Sequence, residues 1–244
     1  MSKIQLKNLT YGFDIQGRML FDHANITIQT TWKLGLIGRN GRGKTTLLRL
    51  IQGELPYEGK IEHQTEFLYF PQYITDATNM TYQVLEGFEE IEFWKLEREL
   101  QLLEVNPDVL WLPYEQLSGG EQTKVLLALL FAQESGFPLI DEPTNHLDHA
   151  ARQIVANYVK SKKQGFILVS HDRQLVDDVV DHILSIERSQ LVLHQGNFSQ
   201  YEQEKKRRDD FEVASNIKIK KEISRLNQTA LEKAQWSGAR EKEK

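Results

Sequence analysis

Lys33–Gln52 reads KLGLIGRNGRGKTTLLRLIQ, and this stretch decides the fold. Its first six residues form a short apolar run that stops at glycine, as a buried strand does. Lys44–Gln52 then takes up a helical pattern. Between them, Gly38-Arg39-Asn40-Gly41-Arg42-Gly43-Lys44-Thr45 fits G-x-x-x-x-G-K-[ST] in the strand–loop–helix setting the motif requires. Glycines let successive backbone N–H groups turn inward as an anion nest, and the following helix points its positive end at the same anion. In such a loop Lys44 reaches the β- and γ-phosphates and the Thr45 hydroxyl ligates Mg²⁺, with Thr46 next along the helix as a further contact.

Outward from the loop, residues 3–9 and 24–30 alternate apolar and polar positions like half-buried strands, and 58–70 return to that alternation. From Thr81 to Val105 the charges and apolar residues read as helices, and Leu117–Gln133 is a further helix, very apolar after its first turn. Phe137–Ile140 and Gly165–Ser170 bracket a helical segment at Ala150–Lys162, a βαβ unit with a parallel sheet. His182–Ile186 and Gln190–His194 read as closing strands, and after Tyr201 a charged helix runs on.

Composition sets limits on class. With 244 residues, 40% hydrophobic and 27% charged, the chain is ordinary globular material. The absence of cysteine excludes a disulfide framework and thiolate metal sites. No run approaches the roughly 18–20 apolar residues of a membrane helix, so a soluble cytoplasmic protein is the expectation. Residues 201–244 hold 12 Lys+Arg against 9 Asp+Glu, which leaves a more acidic body within the overall charge of −5. Such a tail fits a polyanionic partner, although solvated helix faces look the same.

Two further stretches carry chemistry. The apolar run Phe137–Ile140 ends in Asp141-Glu142; a strand stopping there brings Asp141 beside the phosphate loop to hold Mg²⁺, and Glu142 to polarise an attacking water. Capped, solvated acids at a strand end are the plainer alternative. Pro138 is awkward in such a strand, since it lacks a ladder donor, and it is expected near the strand's start. In Leu117-Ser118-Gly119-Gly120-Glu121-Gln122, Ser118 and Glu121 form a capping box. Two adjacent glycines are costly there if capping is the sole purpose, and they expose N–H groups as a second anion site.

In this order the motifs resemble the nucleotide-binding domain of the ABC ATPase superfamily, over nearly all of residues 1–200. The resemblance implies an α/β fold of the ABC type, with a mixed sheet core, an antiparallel β part and a helical subdomain at about 73–135. It makes Gly38–Thr45 Walker A, Gln72 in YFPQY the Q-loop glutamine, LSGGEQ the signature, Phe137–Asp141 Walker B and Glu142 the catalytic glutamate. Asn145–Asp148 is then the D-loop, with Asp148 at the nucleotide, and His171 in VSHD the switch histidine. Glu142, His171 and Gln72 would serve catalysis; Thr45, Gln72 and Asp141 would serve Mg²⁺. An aromatic stacking on adenine lies at Phe13 or Tyr11, with Phe13 favoured by its spacing from Leu9.

DEPTNHLD at 141–148 and the later GNFSQY resemble the ABC-F class, soluble twin-domain ATPases of the ribosome, and among them the Lsa-type antibiotic-resistance proteins. That implies ribosome, rRNA and tRNA as partners, no membrane, and protection against lincosamides, pleuromutilins and streptogramin A compounds. The same motifs allow a housekeeping ABC-F translation factor, the ATPase subunit of a membrane transporter docking its partner through 73–115, or a non-hydrolysing switch. In the superfamily ATP lies between Walker A of one domain and the signature of another, so a second ABC domain is expected for efficient turnover. Ile219, Ile223, Leu226, Ala230 and Ala234 form a narrow apolar seam that wants a second helix. Residues 201–244 are accordingly expected to be the truncated start of an interdomain linker.

Overall fold

The computed structural model describes residues 2–13, 18–88, 92–133, 135–145 and 147–241, with the side chains of Phe13, Arg18 and 224–241 outside that description. The chain forms two compact units, Met1–Phe198 and Ser199–Lys244.

The first unit holds two sheets. Strands β1 (Lys3–Phe13), β2 (Arg18–Gln29) and β4 (Glu58–Glu62) make an antiparallel sheet in the order β2-β1-β4. The larger sheet contains β3 (Lys33–Ile37), β5 (Phe67–Phe70), β6 (Phe137–Asp141), β7 (Phe166–Val169), β8 (His182–Glu187) and β9 (Gln190–Gln195), ordered β5-β6-β7-β3-β8-β9. Every pairing in it is parallel except the closing hairpin of β8 and β9. The apolar run at Lys33 is therefore a central strand, and its middle residues Leu34, Gly35 and Leu36 are buried. Its loop opens at the carboxyl edge of a parallel sheet, where such sheets place their ligands.

The helices of this unit are α1 (Lys44–Ile51), α2 (Thr81–Glu86), α3 (Phe93–Leu102), α4 (Gly119–Ala132), α5 (His149–Ser161) and α6 (Arg173–Val179), with 3₁₀ turns at Pro107–Trp111 and Tyr114–Gln116. Leu47, Leu48, Leu50 and Ile51 of α1 pack into one core with Ile4 and Ile28 of the antiparallel sheet and Leu139, Ile167 and Leu184 of the larger one. From Lys124 to Ala132 every residue of α4 is buried, as an all-round apolar helix requires.

The alternation read across 58–70 is divided between two sheets: β4 joins β1, and β5 forms the edge beside β6. Periodicity shows which faces are buried and is blind to the change of partner. Pro138 is the second residue of β6. Phe137 donates its N–H to Glu66 on the β5 side and Glu142 to Val169 on the β7 side. Strand alternation thus turns the Pro138 nitrogen toward β7, whose pairing with β6 begins one residue later at Leu139 and Ile167. The missing donor falls before the ladder starts.

The second unit is almost wholly α7 (Phe198–Glu241). Of its expected seam, Ile219 and Ile223 are exposed, as are Phe211, Val213 and Ile217 nearby. Leu226, Ala230 and Ala234 lie outside the described side chains. No helix of the described residues is long and apolar enough to cross a membrane.

Candidate functional site

The loop after β3 is shaped by two glycines in left-handed backbone, Gly41 at φ +71° and Gly43 at φ +94°, a region other residues rarely enter. Open space lies where a Gly41 Cβ would stand, whereas a Gly43 Cβ would sit 3.2 Å from Leu20 and 3.3 Å from Phe21. Conformation demands glycine at the first; conformation and packing both demand it at the second. Helix α1 follows at once, with no side-chain cap and no acidic residue in its first turn. Its positive end is left for an anion from outside the chain. Lys44 Nζ donates to Gly38 O at 3.1 Å, folding the lysine over the loop it would share with phosphate. Arg39 and Asn40 are exposed at the loop's outer turn, and Arg42 and Thr46 are half-buried.

Asp141 ends β6 and is buried. Its Oδ2 accepts from Thr45 Oγ1 at 2.7 Å and from the Tyr69 phenol at 3.0 Å. Thr45 spends its proton on Asp141 and keeps its oxygen lone pairs for a cation. Burial, reinforced by the Asp141 charge, pushes the Tyr69 phenol well above its usual range, so it stays a donor. Gln72, just past β5, has a buried Oε1 with no hydrogen-bond partner, an acceptor of the kind a hydrated cation would satisfy. Hydroxyl, carboxylate and amide oxygens are the hard donors Mg²⁺ takes, alongside substrate phosphates. Among the described residues no cluster of three His, Cys, Asp or Glu could hold a metal by itself. The residues fit a cation that arrives with a polyphosphate.

Glu142 is held at φ +54°, a left-handed conformation uncommon away from glycine, while its N–H continues the ladder to Val169 at 2.8 Å. Its Oε2 accepts the backbone N–H of His171 at 3.1 Å. The His171 ring stands with Nε2 3.3 Å from Oε1, yet Oε1 is buried and makes no hydrogen bond of good geometry. The left-handed backbone thus carries a carboxylate with one oxygen held by a backbone N–H and the other beside the His171 ring.

The other expected residues are arranged differently. Ser118 caps α4: its Oγ accepts the Glu121 N–H at 3.2 Å, while its own N–H and hydroxyl donate to Glu121 Oε2 at 2.9 and 2.7 Å. Those donors hold the Glu121 carboxyl below the usual range. Nothing lies within 4 Å of where a Gly119 Cβ would be, and a Gly120 Cβ would make ordinary contact with Leu147 at 3.6 Å. Among the described residues nothing requires either glycine for packing. Among the described residues no hydrogen bond or ion pair joins Ser118–Glu121 to Gly38–Thr46. Asp148 caps α5 through the Ala151 N–H at 2.7 Å. Tyr11 is half-buried and packs on the core, and the Phe13 side chain lies outside the described residues. The structure thus joins Thr45, Tyr69 and Asp141, and separately Glu142 and His171. Tyr69 was not foreseen; its one signal was a hydroxyl in the otherwise apolar Phe67–Phe70 strand.

Residues 21–145 match the family model described as ABC transporter. ABC transporter F family member 2 of Arabidopsis thaliana is 32% identical over 82% of this chain and 30% of its own length. The ribosome protection protein VmlR of Bacillus subtilis (strain 168) is 30% identical over 96% of this chain and 40% of its own. The chain therefore spans well under half the length of these relatives. A bacterial Atm1-family ABC exporter with ATP bound superposes with a TM-score of 0.68 at 18% identity, over 82% of this chain and 40% of that one, a likeness of fold alone. With the phosphate loop, the Asp141–Glu142 strand end and the family match in agreement, this chain belongs to the ABC family of ATP-binding domains.

Proposed function

We propose that this chain binds Mg²⁺·ATP at Gly38–Thr46 and hydrolyses it as part of an ABC-F protein that acts on the ribosome. The observation that carries the reading is the pair of hydrogen-bonded groups at the carboxyl end of β6, Thr45 with Asp141 and Glu142 with His171. Loop N–H groups and Lys44 cradle the phosphates, Thr45, Asp141 and Gln72 hold the cation's shell, and Phe13 stacks on adenine. Bound Mg²⁺ supplies charge neutralisation on the β- and γ-phosphates. Glu142 takes the proton of the attacking water through Oε1, and His171 fixes that carboxylate through its backbone N–H.

Ser118–Gly120 offers a second phosphate site on the same chain, and two glycines with no packing duty among the described residues support an approach from outside. A second ABC domain, bringing its own loop to that surface, completes the site and is required for efficient turnover. Replacing Lys44 with alanine removes a charged donor to phosphate worth about 1.5–3 kcal/mol. ATP affinity is expected to fall by roughly 10- to 100-fold; an unchanged Kd in equilibrium binding would remove Lys44 from the site.

Ribosome action rests on the similarity to a ribosome protection protein and on the resemblance in DEPTNHLD and GNFSQY. In this reading the protein is cytoplasmic, residues 201–244 begin an interdomain linker whose exposed Ile219 and Ile223 meet a returning helix, and its biological role is antibiotic resistance by ribosomal protection. The full protein carrying Glu142→Gln is expected to pellet with ribosomes in ATP and to stay in the supernatant without it. Recovery with a membrane-spanning partner, and no pelleting, would replace this reading by a transporter subunit. Drug susceptibility of cells expressing the full protein separates resistance from a housekeeping role in translation.

A further inference from the structure

Among the described residues Asp141 receives two side-chain donors, both on one oxygen. Thr45 Oγ1 reaches Oδ2 at 2.7 Å from α1, and Tyr69 reaches the same Oδ2 at 3.0 Å from β5. Oδ1 accepts no hydrogen bond from a described residue. A carboxylate held by one hydroxyl can still rotate about its Cβ–Cγ bond and exchange its oxygens. Two donors arriving from different elements remove that freedom and keep Oδ1 facing away from both.

We propose that Tyr69 is a positioning residue for Asp141: it anchors Oδ2 so that Oδ1 is presented to the water shell of the Mg²⁺ that accompanies ATP. The inference rests on the reading of Gly38–Thr46 as an Mg²⁺·ATP site. Tyr69 is suited to the task by its own surroundings. Its strand pairs with β6 at Tyr69 and Leu139, two residues before Asp141, so the phenol and the carboxylate belong to adjacent strands of one ladder. Three residues later the same segment carries Gln72, with its unpartnered Oε1. One short segment thereby supplies both an anchor for the Asp141 carboxylate and, just past its strand, a second oxygen for the cation. Partners that orient metal-binding carboxylates this way typically change metal affinity by 10- to 100-fold when removed.

The test is the Mg²⁺ dependence of nucleotide binding, read by the anisotropy of a fluorescent ATP analogue with the unmodified protein and with Tyr69→Phe. The phenylalanine keeps the ring and its packing and removes the donor. In excess EDTA the two proteins are expected to bind the analogue with equal affinity. On adding Mg²⁺, the midpoint of the rise in affinity is expected about tenfold higher for Tyr69→Phe, and the midpoint for Mn²⁺ displaced in the same direction, as followed by its electron paramagnetic resonance signal. Coincident midpoints would overturn the positioning role. An equal loss of affinity with and without Mg²⁺ would also overturn it, since that is the signature of a structural defect. Absence of any Mg²⁺ effect in the unmodified protein would instead sink the underlying site reading, and the inference with it.

Discussion

Replacing Glu142 with glutamine is expected to lower ATP turnover by about 10²- to 10⁴-fold, the range of a lost general base, while ATP binding changes by no more than about twofold. The amide keeps the shape of the side chain and an oxygen that can accept the His171 N–H, the contact now made at 3.1 Å. What it loses is the spare, buried Oε1, the atom able to accept a proton from water. Glu142 makes no described contact with Lys44, Thr45 or the loop glycines, which is why affinity is spared. Phosphate release by the full protein and equilibrium binding of ATP, measured on the same preparation, separate the two quantities. Equal losses in both would mean that Glu142 shapes the binding site and is no base. Unchanged phosphate release would make the protein's turnover independent of this carboxylate and favour a different water-activating group.

How much of this was legible beforehand depends on whether a feature is written locally. The loop at Gly38–Thr45 could be read because its function needs consecutive residues: two left-handed glycines, a lysine and the first turn of α1. The same holds for the Ser118–Glu121 cap, where both partners lie within one helical turn. The division of 58–70 between two sheets could not be read, because β4 and β5 have the same alternation and differ only in which distant strand they meet. Tyr69 escaped for a related reason. Its role depends on Asp141, 72 residues away, and a tyrosine in an apolar strand usually means only a ring in the core. Of the two aromatics expected to stack on adenine, Tyr11 packs on the core, and the Phe13 ring lies outside the described residues.

A second long-range pair was equally hidden, and its removal is expected to produce a large loss of stability. Glu99 of α3 is buried to 3% side-chain exposure, and Lys162, which closes α5, to 13%. The two form an ion pair, and Glu99 also accepts from the Tyr158 hydroxyl at 2.7 Å and Arg98 Nη2 at 3.0 Å. The Lys162 ammonium lies 4.0 Å from the Tyr158 ring centroid and 5.0 Å from that of Phe131 in α4, so one cation ties three helices together. Burial alone would raise the Glu99 carboxyl, but its donors outweigh it and hold the group below the usual carboxylate range.

Lys162→Met keeps the volume of the side chain and leaves Glu99 buried with weaker compensation. Breaking a buried pair from one side costs about 3–5 kcal/mol, and the remaining Tyr158 and Arg98 donors place this case near the lower end. For a domain of this size that corresponds to a drop in Tm of roughly 6–12 °C. The dependence on pH gives an independent check. In the unmodified protein the depressed Glu99 group contributes stability above its unfolded pKa, and that contribution is lost as pH falls through the folded value. Lys162→Met removes the ion pair that helps to hold the Glu99 carboxyl down, so the folded group sits higher than in the unmodified protein and its protonation relieves more of the unpaired charge. As pH falls through the carboxylate range, around and below the ordinary glutamate value of about 4.3, urea unfolding should therefore show the gap between the two proteins narrowing. Glu99→Leu combined with Lys162→Met removes both charges and is expected to recover most of the single-variant loss. If the double variant were no more stable than Lys162→Met alone, the loss would come from the lysine's packing on Phe131 and Tyr158, and the buried charge of Glu99 would not be its cause.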